Sequence, residues 1–215
     1  MSLPILGRLL LANTMIENYI TYLKFLDEKF NRFFKKQTPF ICCKKGCGRC
    51  CKNAQFPYTQ IEVVHLLSGA QKLNDETIEQ IMDNIAKIKL KKENFKGDKF
   101  LYDCPFLINN SCSVYEYRGI ICRSFGLMTV GKTGNIQVPF CCFQGLNYAN
   151  VMEDDGKNIS VEKYQKLNVK EEPTAFNVSY EFLTDPDFAR GFNFKFGDRK
   201  PLIDWLINKK DKNDE

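Results

Sequence analysis

A chain of 215 residues with 44% hydrophobic and 13% aromatic residues can bury a sizeable core and is not a disordered sequence. Its 31 basic and 26 acidic residues leave a net charge of +5, mixed along the chain without a basic tail, which argues against a nucleic-acid partner. No stretch approaches the roughly 18 consecutive apolar residues of a membrane span. Residues 3–12, interrupted by Pro4, Gly7 and Arg8, lack the basic flank and small-residue cleavage site of a secretory leader, so they read as a packing arm and the protein as cytoplasmic.

After the arm, Thr14-Met15-Ile16-Glu17 has the form of a capping box, and Tyr19, Ile20, Leu23, Leu26, Phe30, Phe33 and Phe34 recur at three- and four-residue steps. The spacing predicts a long amphipathic helix over 14–37, ending before Pro39, with its aromatic stripe in the core. A cysteine-rich loop follows from residue 39 to about 57. Thr59-Gln60-Ile61-Glu62 opens a short helix stopped near Gly69, and Asn74 or Asp75 caps a longer one over 75–94. His65, the only histidine, lies on the short helix and reads as a structural or surface residue.

Further along, Asn109-Asn110 between short apolar runs predicts a tight turn that sets Cys104 beside Cys112, and residues 115–118 form a helical turn stopped by Gly119. Thr129-Val130 and Ile136-Gln137-Val138 flank a glycine-containing turn and predict a hairpin delivering Cys141 and Cys142. A short helix over 160–167 and a last one beginning at Pro201, with Leu202, Trp205 and Leu206 inward, complete the elements. Residues 209–215 read as a frayed, solvated end.

The ten cysteines are the chemical signal. Five of them fall within Cys42-Cys43-Lys44-Lys45-Gly46-Cys47-Gly48-Arg49-Cys50-Cys51, and none occurs before Cys42 or after Cys142. In a reducing compartment such clustering marks metal ligands rather than disulfides. Thiolates at these spacings suit a soft cation or an iron-sulfur cluster. Cys47-x2-Cys50 is a zinc-type knuckle, but Cys104, Cys112 and Cys122 are spaced more loosely than in a zinc ribbon, so zinc and iron-sulfur both stay open. Lysines and arginines crowd the sulfurs, among them Arg118 and Arg123, and would stabilise the negative charge of an all-thiolate centre. Structural disulfides or buried apolar thiols are the remaining reading. Apart from the cysteines, the chain offers no nucleophile-base pair, no H-E-x-x-H and no G-x-S-x-G.

The segments Cys43-Lys44-Lys45-Gly46-Cys47-Gly48-Arg49-Cys50-Cys51, Cys104-Pro105-Phe106-Leu107, Cys112-Ser113-Val114-Tyr115 and Arg118-Gly119-Ile120-Ile121-Cys122-Arg123-Ser124-Phe125 together resemble the YkgJ-type cysteine cluster family of zinc- or iron-chelating domains. That family usually has proline after the arginine preceding its third downstream cysteine; here Gly119 stands there. The flagellin lysine methylases carry a similar motif, and through them the resemblance implies an iron-sulfur-dependent modifier of protein lysines as an alternative function. C-x3-C-x2-C is also similar to the cubane-binding spacing of radical S-adenosylmethionine enzymes. Arg49 replaces their usual aromatic residue, however, and no strand-helix barrel pattern surrounds the motif.

The expectation is therefore a mainly helical α+β fold, read as a single domain over 1–215. It comprises an N-terminal arm and helix (1–41), a cysteine-cluster core (42–142) and a C-terminal helical extension (143–215). The expected ligands to zinc or an iron-sulfur cluster are Cys43, Cys47, Cys50, Cys51, Cys104, Cys112, Cys122 and one of Cys141 or Cys142, with Cys42 surplus. The expected partner is the metal ion or cluster itself, with no nucleic acid and no membrane span.

Overall fold

The computed structural model describes residues 3–44 and 46–207, with side chains from residue 13 onward; the expected frayed end at 209–215 lies outside them. In chain order the elements are α1 (Leu3–Lys36), β1 (Pro57–Thr59), α2 (Gln60–Ala70), α3 (Asp75–Glu93), β2 (Leu107–Ile108), β3 (Ser111–Cys112), α4 (Ile120–Ser124), β4 (Thr129–Val130), β5 (Ile136–Gln137), α5 (Val161–Leu167), α6 (Tyr180–Leu183), β6 (Arg199–Pro201) and α7 (Leu202–Leu206). Among the described residues the strands form three two-stranded antiparallel sheets, so the fold is α+β and mainly helical. No helix among them is long and apolar enough to cross a membrane.

The chain divides into two compact units, each built from two stretches of sequence. The first comprises residues 1–44 and 120–195. Its spine is α1, which starts at Leu3 rather than at the expected Thr14. Pro4 falls in the first helical turn, where its missing N–H costs nothing, and neither Gly7 nor Arg8 stops propagation. Tyr19, Tyr22, Leu23, Leu26 and Phe30 lie on one face and are buried. The rings of Phe192 and Phe194 pack on Tyr22 at 5.0 and 5.4 Å, and the Tyr22 hydroxyl donates to the Leu183 carbonyl at the end of α6. A phenol can be buried this deeply because its polar end finds that acceptor. One turn further on, Phe33 stacks on Phe176 at 4.2 Å, and Phe176 bonds by its backbone to Met128 and Val130 of the β4–β5 region.

A second cluster in this unit joins Phe40, Met128, Cys142, Tyr148, Val151 and Met152, with Tyr164 and Leu167 of α5 packed against it. The hairpin β4–β5 forms as the sequence predicts, Thr129 opposite Gln137 and Val130 opposite Ile136, and leads into a 3-10 turn, Phe140–Gln144, that carries Cys141 and Cys142. Helix α4 is held to α1 by an ion pair of Arg123 with Asp27, in which the arginine side chain is 6% and the aspartate 39% exposed.

The second unit comprises residues 45–119 and 196 onward. Here β1 pairs with β6, Pro57 opposite Pro201 and Thr59 opposite Arg199, a long-range pairing that no local pattern in the sequence announces. Thr59 then caps α2 with the expected capping box, its backbone and hydroxyl both donating to the buried Glu62 carboxylate at 2.8 Å. Asn74 caps α3, its side chain accepting from the Thr77 amide at 2.9 Å. Helix α7 buries Leu202 and Ile203, while Trp205 is half-buried and donates to the Tyr58 carbonyl at 3.1 Å. Asp204 on the same helix pairs with Lys92 at the end of α3.

Asp27→Ala would leave the Arg123 guanidinium buried without its carboxylate. Stability in urea should fall by about 2 kcal/mol, below the full cost of breaking a wholly buried pair because Asp27 is partly solvated; an unchanged midpoint would show that other groups carry the arginine.

Candidate metal centre

The ten cysteines, the expected ligands among them, fall in both units. Cys42, Cys43, Cys122, Cys141 and Cys142 belong to the first, and Cys47, Cys50, Cys51, Cys104 and Cys112 to the second. All ten are described, and none forms a disulfide.

In the second unit the backbone itself gathers sulfurs. Gly48 adopts a left-handed conformation (φ +58°) and caps a 3-10 turn, Arg49–Cys51, that carries Cys50 and Cys51. A side chain at Gly48 would meet the Asn110 carbonyl at 3.1 Å and a Leu107 methyl at 3.3 Å, so the turn packs directly on the β2–β3 hairpin. Asn109 and Asn110 both have positive φ (50° and 58°), the two-residue turn that the sequence predicts. The register sets Cys112 opposite Leu107. Cys104 is placed by a different ladder: its amide donates to the Cys51 carbonyl at 2.8 Å, next to the reciprocal pairing of Ala54 with Tyr102. The two cysteine-bearing stretches of this unit are thus tied together through their main chains.

The Cys50 and Cys51 sulfurs lie 3.7 Å apart. That hydrogen bond, helped by the Arg118 guanidinium and opposed by burial, lowers the Cys50 thiol to about 7. Arg118 is itself stacked over the Tyr115 ring at 3.7 Å. Burial pushes the Cys112 thiol up, and a thiolate at Cys50 adds to that, while Arg118 and the Val114 amide oppose it. His65 is buried and packs its ring on Tyr117 at 5.1 Å, which accounts for it as a structural residue.

Gly119 has a reason in this unit. Its amide donates to the Tyr58 hydroxyl at 3.0 Å, and a Cβ there would come within 2.7 Å of the Tyr58 ring and 2.9 Å of a Glu62 carboxylate oxygen. Tyr58 occupies the space, and uses the N–H, that a proline would take away.

In the first unit Cys43 is exposed, and its sulfur accepts from the Asn147 side chain at 3.1 Å. Cys122 is half-buried on α4. Cys141 and Cys142 are buried, Cys142 inside the apolar cluster with Phe40 and Met128, where burial pushes its thiol up. Sequence reasoning missed Asn147 and Tyr148. Tyr148 is fully buried, and its phenol is pushed well above the ordinary range by burial, with the nearby Cys43 sulfur acting in the same direction.

Among the described residues no group of three or more His, Cys, Asp or Glu side chains stands ready-made to hold a metal ion. The Cys50–Cys51 pair nevertheless has the right donor chemistry and spacing: two thiolates on one tetrahedral ion, each with a bond of about 2.3 Å, sit about 3.8 Å apart.

Residues 42–142 match the family model described as "CxxCxxCC: Putative zinc- or iron-chelating domain". The matched segment contains all ten cysteines and spans the stretch from Cys43 to about Cys142 on which the resemblance rests. Where the family label has two residues between its first two cysteines, this chain has three, Lys44, Lys45 and Gly46, between Cys43 and Cys47. No curated protein and no solved structure matches the chain.

In metal-free protein, alkylation of Cys50 by iodoacetamide should rise with a midpoint near pH 7, and that of Cys112 at a distinctly higher pH. Stability should follow the same sign. With the folded Cys50 thiol below its ordinary value, the folded state binds fewer protons, so stability rises from about pH 7 toward 9 and is lost as pH falls through 7. Coincident alkylation midpoints for the two cysteines would rule out this electrostatic reading. Separately, Gly119→Pro should destabilise the chain by about 3 kcal/mol through the lost Tyr58 bond and the clash, measured by chemical unfolding.

Proposed function

We propose that this is a metal-binding protein of a reducing, cytoplasmic environment that holds zinc or iron through its clustered cysteines. The observation that supports the reading best is the contact between the Cys50 and Cys51 sulfurs, with the Cys50 thiol poised near neutrality. Adjacent thiols at 3.7 Å carry a repulsion once both are ionised, which a shared cation removes. Cys47, Cys104 and Cys112 are the further donors of the same unit, and Arg118 offsets their accumulated negative charge. In the first unit Cys43 is the donor favoured by exposure and by the N–H on its sulfur, with Cys122 and Cys141 as further candidates. The apolar surroundings of Cys142 favour a packing role for it.

The contact also bears on the kind of centre. In a [4Fe–4S] cubane each iron takes one cysteine, whereas sulfurs in contact suit a single ion, or an iron holding two thiolates. When bound, the metal would add its binding energy to folding, because binding requires deprotonated thiols held together by the folded chain.

Anaerobic purification with zinc, iron and sulfide analysis on one sample tests this. Native protein should carry zinc or iron, and Cys47→Ser, Cys50→Ser, Cys51→Ser and Cys112→Ser should each lower both metal content and melting temperature, while Cys42→Ser does neither. Equal behaviour of all five variants would overturn the ligand assignment. Brown protein with iron and sulfide in equal amounts and four of each per chain would replace the single-ion centre with a cubane.

A further inference from the structure

Asn147 lies outside the segment matched by the family model and is 1% exposed. Its amide is fully committed. The side-chain oxygen accepts from the Cys42 amide at 2.8 Å, and the nitrogen donates to the Gly126 carbonyl at 2.9 Å and to the Cys43 sulfur at 3.1 Å. The arrangement needs Gly126 (φ +107°), since a Cβ there would sit 2.9 Å from the Asn147 nitrogen and 3.3 Å from the Cys43 sulfur. One buried side chain therefore fixes both the main chain entering Cys43 and the sulfur itself. Within this unit, a buried amide thus spends an N–H on the sulfur of a cysteine that is itself exposed as a residue.

We propose that Asn147 is the positioning residue of the Cys43 donor, an inference that rests on reading Cys43 as a metal ligand. The bond from Cys42 sets where the Cys43 Cα lies, and the N–H on the sulfur selects its rotamer and delocalises thiolate charge, as outer hydrogen bonds do for metal ligands.

The test is a double-mutant cycle on the full chain with cobalt(II) as the probe, followed by its thiolate absorption. Asn147→Ala should weaken cobalt binding about tenfold, but by less than about twofold in a Cys43→Ala background, because the two residues act as one. Asn147→Asp is the second variant: it keeps the acceptor for the Cys42 amide, loses the donor to Cys43, and should show the same background dependence even if the alanine variant does not fold. An equal loss in both backgrounds, whatever the melting temperatures, would make Asn147 a purely structural brace and overturn the proposal. If Cys43→Ala leaves cobalt affinity intact, Cys43 is not a ligand and the proposal falls with it, while loss of cobalt in Cys50→Ser would leave the reading of the second unit standing.

Discussion

Thiolates repel, so sulfurs that are to share one cation must be brought together by something other than their own attraction. In the second unit the main chain does this work. A left-handed Gly48 turns the chain into a 3-10 turn that carries Cys50 and Cys51 on adjacent positions, and the carbonyl of Cys51 is bonded to the amide of Cys104. Two asparagines in left-handed conformations close the hairpin against which that turn packs. These are local, short-range devices, and each uses a residue type that tolerates positive φ at little cost. The sulfur contact of 3.7 Å is their product.

Holding such a turn rigid requires a base that does not depend on the cysteines. Within the second unit, Thr59 ends the β1–β6 pairing and caps α2, while Tyr58 beside it supports Gly119 through its hydroxyl and receives Trp205 at its carbonyl. The capping carboxylate of Glu62 lies against Gly119 as well. The same three-residue strand thus anchors a helix and fixes the backbone directly after Arg118, the cation that faces the Cys50 thiol. In the first unit the corresponding support is aromatic: Tyr19 and Tyr22 of α1 hold the 188–194 stretch, and Phe33 holds Phe176.

What was legible in the sequence follows the range of the interaction. The capping box at Thr59, the cap at Asn74, the turn at Asn109-Asn110, the hairpin before Cys141 and the helix after Ser160 are all set by residues within a few positions of one another, and each forms where the pattern places it. The start of α1 was misplaced because Thr14-x-x-Glu17 imitates a helix start inside a segment whose own propensity already favours helix. The pairing of Pro57–Thr59 with Arg199–Pro201 was invisible, since three-residue strands containing proline carry no alternation to read. The tie of Cys104 to Cys51 was invisible too: the hairpin fixes which residues face each other near its turn, but three residues beyond the strand a main-chain bond to Cys51 holds Cys104.

The same distinction separates the thiols of the candidate centre. Spacing marks all ten cysteines alike, yet their surroundings do not. Cys142 sits among Phe40, Met128 and Val151 and behaves as a small apolar side chain whose ionisation burial disfavours. Cys50 has a sulfur donor and a guanidinium beside it, and its ionisation is favoured despite burial. Cys43, exposed to solvent, owes its placement to an amide that is 104 residues away in sequence and buried. Charge, donor supply and solvation around each sulfur therefore distinguish cysteines that spacing leaves equal, through the Cys51 sulfur and Arg118 at Cys50, Asn147 at Cys43 and the apolar cluster at Cys142.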